Sequence, residues 1–114
     1  MRIIECLDLP SNPDSKTIYR LTPVARGSEF YPERTDRNIG WITGQEQELL
    51  RRSTVAVAGC GGMGGVAAEL LLRVGVGEIR VADPELFDIS NIHRQIAAGV
   101  DTTGTSKAFA TAQR

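Results

Sequence analysis

The feature that most constrains this chain is residues 55–65, VAVAGCGGMGG. Val55-Ala56-Val57-Ala58 is a short run with no polar alternation, the pattern of a parallel strand covered on both faces. It runs straight into Gly59-x-Gly61-x-x-Gly64. In that spacing the first glycine allows a tight turn, the second lets a phosphate approach bare backbone, and the third lets helix and strand pack closely. The following MGGVAAELLLRVG places Met63, Val66, Ala67, Leu70, Leu71 and Val74 at helical spacing, which predicts a helix with one continuous apolar face. Glu69 and Arg73 form an i, i+4 pair on its other side, and Gly75 and Gly77 end it. EIRVAD then reads as a strand that closes on Asp83. Strand, glycine turn, helix and strand over residues 54–83 make a right-handed βαβ unit, so the expected fold class is α/β with a Rossmann-like parallel sheet.

A helix start of this kind offers unpaired amides and a partial positive charge to an anion. Asp83, about 20 residues on, is placed for ribose hydroxyls. These features suit a nicotinamide or flavin dinucleotide and ATP equally. The residues after Asp83 discriminate. Asn91, Arg94 and Gln95 crowd together, and Gly104-x-x-Lys107 follows. Arg94 can fork onto phosphate oxygens, Lys107 adds a point charge near a helix start, and the two amides add neutral hydrogen bonds. Taken singly, the cations read as solvated surface residues and Asn91 as a helix cap; taken with the glycine turn they suit a triphosphate. Cys60 reads as a small filler of the turn, because no general base is placed to make it a nucleophile.

A net charge of −1 argues against general binding to nucleic acid or anionic membrane. No apolar run reaches the length of a membrane span, and the start does not read as a secretory signal. Two scattered cysteines, Cys6 and Cys60, fit a reducing cytoplasm, and with His93 the only histidine no zinc ligand set is in view. Four of the five prolines precede residue 37. There, RIIECLDL and TIYRLTPV flank the turn-like SNPDS, which suits a hairpin, an arm lying on another subunit, or a disordered leader. Thr43 and Glu46 make a capping box for a short helix with Leu49 and Leu50 as its buried contacts and Arg51 and Arg52 at its C-terminal end.

The segments RNIGWITGQEQELLRRSTVAVAGCGGMGG, AD, NIHRQ and GTSK, in this order, make the chain resemble the ThiF/MoeB/HesA family, bacterial relatives of the ubiquitin-activating E1 enzymes, from about Arg37 to Lys107. The resemblance implies Mg-ATP binding and adenylation of a carboxylate, usually the C-terminal glycine of a ubiquitin-like sulfur carrier, with release of pyrophosphate. Carried onto this sequence, it implies that Gly59, Gly61 and Gly64 hold the phosphates and Asp83 the ribose. It implies that Asn91, Arg94, Gln95 and Lys107 bind and polarise the triphosphate. It further implies a dimer in which Arg37, or failing that Arg34, reaches the partner's ATP. The expected organisation is an extension over residues 1–36 and an incomplete first half of the adenylation domain over residues 37–114. The family's magnesium-associated aspartate, its thioester or persulfide cysteine and its paired CxxC motifs have no match here. A chain of this extent is expected to be marginal or oligomeric alone, and weakly active or inactive. Two other readings stand beside this one: a non-catalytic module that dimerises and binds nucleotide, and a fragment of a NAD- or FAD-binding oxidoreductase.

Overall fold

The computed structural model describes the backbone of residues 2–6, 18–23 and 27–114, with side chains from Phe30 onward. The elements run β1 (Arg2–Cys6), β2 (Ile18–Pro23), α1 (Gly27–Thr35), a 3-10 turn (Asp36–Asn38), α2 (Gly44–Arg52), β3 (Thr54–Ala58), α3 (Gly62–Val74), β4 (Glu78–Ala82), a second 3-10 turn (Ile89–Asn91) and α4 (Lys107–Gln113). The sheet order is β1-β2-β4-β3. β3 and β4 are parallel, with Val55 opposite Ile79 and Val57 opposite Val81, as the βαβ reading requires. β1 and β2 pair antiparallel, and β2 also pairs antiparallel with β4, so the sheet is mixed and the outer edge of β4 is occupied. The turn expected at residues 11–15 lies outside the described residues.

Period-two alternation on β4 sends Ile79 and Val81 to one face, where both are fully buried. Ala68 of α3 and Ala108 and Ala112 of α4 join them in one cluster, with Leu50, Val55, Val57, Leu71 and Leu72 packed around it. Both long-range helices therefore cover the same face. This corrects the expectation that β3 is covered on both sides: Thr54, Ala56 and Ala58 are exposed, because no described element lies over the opposite face.

The helix α3 also differs from its sequence reading. The pattern predicted Met63, Leu70 and Val74 on the buried side, yet Met63 is 87% exposed and Leu70 59%. The face against the sheet is instead that of Gly65, Ala68, Leu71 and Leu72. Small residues there let the helix lie close to the strands, while Met63, Ala67, Leu70 and Val74 form an outward stripe at i, i+4, i+7 and i+11. In α2 the capping box forms as expected: the Thr43 hydroxyl accepts from the Glu46 amide at 3.2 Å, and a Glu46 carboxylate oxygen accepts from the Thr43 amide at 2.7 Å. Leu50 packs on the core, but Leu49 is exposed, and the buried residue of this helix is Gln47.

Gln47 is buried because it finishes the C-terminal end of α3. The last carbonyls of a helix have no partner within it. Here Arg34 donates to the Leu72 carbonyl at 2.9 Å, Asn38 and Gln47 to that of Val74 at 3.0 and 2.9 Å, and the Tyr31 hydroxyl to that of Gly75 at 2.6 Å. Gly75 itself is left-handed, with φ of 112°, and a Cβ there would collide with Gln47 and Tyr31.

Candidate functional site

The turn from β3 into α3 is fixed from both sides. Gly59 has φ of 95°, a conformation that favours glycine, and its amide donates to the Ala82 carbonyl at 2.7 Å. A Cβ on Gly64 would fall on the Gly59 carbonyl, which is the close helix–strand contact the third glycine was expected to permit. Gly61 is the N-cap of α3 and brings no side chain to the first amides, so they remain open to an external acceptor.

Asp83 ends β4 and is buried at 6% exposure. One carboxylate oxygen accepts from the Cys60 amide at 2.6 Å and the other from the Glu85 amide at 2.8 Å. The aspartate thus ties the glycine turn to the end of the neighbouring strand before any ligand arrives. Cys60 is buried beneath the turn; burial pushes its thiol up to about 11, and the Asp83 charge adds to the shift while Lys107 and a contact with Thr111 oppose it. That neutral, enclosed thiol fits a filler.

The segment after β4 folds back onto the turn. Asp88 caps the 3-10 turn through the Ser90 amide, and Asn91 answers by accepting from the Asp88 amide at 3.0 Å. The Asn91 carbonyl then accepts from the amides of Arg94 and Gln95. This geometry sets Arg94 against Gly62, with its carbonyl 3.4 Å and its guanidinium 3.8 Å from a Cβ built there, and sets the Gln95 amide nitrogen 3.8 Å from one built on Gly61. Gln95 is 3% exposed, and its Oε1 has no hydrogen-bond partner. A buried acceptor left unpaired costs free energy, and here it belongs to the side chain whose amide nitrogen faces Gly61.

The loop closes by two bonds, Phe87 amide to Thr105 carbonyl and Gly104 amide to Phe87 carbonyl, which deliver Lys107 to the first position of α4 behind the N-cap Ser106. The Lys107 side chain is buried, with Nζ 2.6 Å from Glu85 Oε2 and 5.9 Å from the centre of the Phe87 ring. The structure therefore gathers Gly59, Gly61, Gly64, Asp83, Asn91, Arg94, Gln95 and Lys107 at one end of the sheet. It does not bring Arg37 or Arg34 there. Arg34 is engaged on the Leu72 carbonyl and over the Tyr31 ring, and Arg37, at 98% side-chain exposure, lies beside Asn38 at the far end of α3, roughly 20 Å away for a helix of this length. Glu85 was not singled out from the sequence; the only signal was an acid two residues after Asp83.

Residues 35–114 match the model of the ThiF family. Over 60 residues the chain is 50% identical to the tRNA threonylcarbamoyladenosine dehydratase of Bacillus subtilis, covering 53% of this chain and 24% of that protein. It is 35% identical over 68 residues to a sulfur carrier protein adenylyltransferase of Thermus thermophilus, covering 25% of it. The crystal structure of the E. coli tRNA N6-threonylcarbamoyladenosine dehydratase TcdA superposes with a TM-score of 0.71 at 32% identity, over 74% of this chain and 34% of that one. The same enzyme in complex with ATP gives 0.68 at 30% identity. The chain thus spans about a quarter to a third of the length of these relatives. With its βαβ core, glycine turn and following loop all within the matched residues, the chain belongs to the ThiF family.

Proposed function

We propose that this chain forms the ATP-binding part of an enzyme that adenylates a carboxylate. The observation that carries the reading is the uncapped start of α3, with the buried Gln95 amide packed against Gly61 and the Arg94 guanidinium against Gly62. Free helix amides and a guanidinium side by side suit a ligand with anionic oxygens. The matched solved structures include one bound to ATP, and the curated relatives include adenylyltransferases for sulfur carrier proteins.

In the reaction, a carboxylate oxygen attacks the α-phosphorus of ATP, the bond from that phosphorus to the bridging oxygen breaks, and pyrophosphate departs with the negative charge. The amides of α3, Arg94 and Lys107 would stabilise that charge, and positioning is the main task left to the protein. Asp83 keeps lone pairs with which to accept from a ribose. Magnesium would travel with the triphosphate; the described residues supply no cluster of three or more His, Cys, Asp or Glu to hold it, and the steps above use none. The acceptor we propose is the C-terminal carboxylate of a ubiquitin-like or sulfur-carrier protein.

Arg37 would act from a second copy. It lies at the end of α3 opposite the glycine turn. Two α3 helices packed antiparallel across a two-fold axis would bury their Met63, Leu70 and Val74 stripes against each other and bring the Arg37 end of one beside the glycine end of the other.

Calorimetric titration tests the ATP reading. ATP is expected to bind and NAD not to, and Arg94→Ala is expected to weaken ATP about tenfold, the worth of a charge-assisted contact. Binding of NAD, or ATP binding indifferent to Arg94, would refute it.

A further inference from the structure

Lys107 and Glu85 are joined twice. The Lys107 amide donates to the Glu85 carbonyl at 3.0 Å, and the ammonium donates to the Glu85 carboxylate at 2.6 Å. The two side chains have opposite surroundings: that of Lys107 is 7% exposed and that of Glu85 67%. The ammonium is fixed by its buried stem and by Phe87, while the carboxylate reaches in from solvent and can swing away. The other acid nearby, Asp83, cannot play this part, because both its oxygens are held by backbone amides.

The geometry points to Glu85 as a resting counter-ion that occupies Lys107 until a polyphosphate displaces it. This rests on the ATP reading above and adds to it a positioning residue. A buried ammonium without a partner is costly, so the site without nucleotide needs an anion at this place. A carboxylate on an exposed side chain supplies one that a triphosphate can replace. The exchange has a consequence: binding must break the Glu85–Lys107 pair, so the pair lowers nucleotide affinity by what it is worth, and it does so through Lys107.

A double-mutant cycle read by ATP titration tests this. Glu85→Gln removes the competing charge and is expected to tighten ATP roughly fivefold, the upper range for a partly exposed ion pair. Glu85→Asp keeps the charge and should restore the wild-type affinity. In a Lys107→Ala background the gain from Glu85→Gln should largely vanish. Unchanged or weaker binding by Glu85→Gln overturns the proposal, as does the same gain in both backgrounds, which would mean plain repulsion between Glu85 and the phosphates. Arg94→Ala in the same series separates the two readings. If it weakens ATP while Glu85→Gln changes nothing, only the counter-ion falls; if no form of the protein binds ATP, both fall.

Discussion

Replacing Tyr31 by Phe removes one oxygen from the joint that anchors α3. The Tyr31 hydroxyl has one proton, and it goes to the Gly75 carbonyl at 2.6 Å in preference to the Gln47 carbonyl at 3.2 Å. The same oxygen accepts from Gln47 Nε2 at 2.8 Å. In the variant, Gln47 Nε2 keeps its bond to the Val74 carbonyl at 2.9 Å, and the aromatic ring remains for Arg34 to stack on. The Gly75 carbonyl, in a buried residue, loses its donor, so the loss is one unsatisfied buried acceptor, about 1–3 kcal/mol. Against a typical domain stability of ~5–15 kcal/mol that is a sizeable fraction. Urea unfolding should show it as a lower midpoint with an unchanged slope. ATP affinity of the folded variant should stay within about twofold, because the altered joint is roughly 20 Å from the glycine turn. A loss under about 0.5 kcal/mol would refute the claim that this hydroxyl anchors the helix.

Two further outcomes are expected. Burial raises the Cys60 thiol to about 11, so the stability it contributes is present below the ordinary thiol value and lost as pH climbs toward 11; the melting temperature should fall over that window, and Cys60→Ala should flatten the fall. If Arg37 acts from a second copy, Arg37→Ala and Arg94→Ala proteins mixed in equal amounts should regain full ATP affinity at about a quarter of the sites, which neither shows alone, and a mixture no better than its components would place Arg37 outside the site.

The βαβ unit was legible because its signals are local. Alternation in β4, the glycine spacing and the capping box at Thr43 each depend on residues within a few positions of one another. Which side of α3 faces the sheet was not legible. Apolarity alone favoured Met63, Leu70 and Val74, but a helix beside a sheet can approach more closely on Gly65 and Ala68, and the closer face won. Gln47 was hidden for a related reason: its partners at Tyr31 and Val74 are 16 and 27 residues away, and no periodicity reports such a contact. At the site, the residues of NIHRQ and GTSK come together at one end of the sheet because the loop that carries them closes through its own backbone. The engagement of Asp83 by two amides, and of Lys107 by Glu85, was not legible, because a carboxylate in sequence looks the same whether it faces a ribose, an amide or an ammonium.

The two ends of α3 are finished in opposite ways, and that asymmetry bears on the role proposed for the glycine turn. At the C-terminal end the carbonyls of Leu72, Val74 and Gly75 are all satisfied by Arg34, Asn38, Gln47 and Tyr31, side chains of the segment just before the βαβ unit. One of those donors is cationic, which also suits the negative end of the helix dipole. At the N-terminal end three glycines withhold every side chain that could cap the amides, and Asp83 holds the turn from beneath without reaching the helix start. A helix tied at one end and bare at the other cannot slide to satisfy its own amides, so their positions are set before an anion arrives. Pre-set donors cost little reorganisation when charge develops in front of them, which is where electrostatic stabilisation gains most. The segment that anchors α3 also carries Arg37, so the packing that fixes the helix also fixes where this exposed arginine stands, at the end of α3 away from the glycine turn.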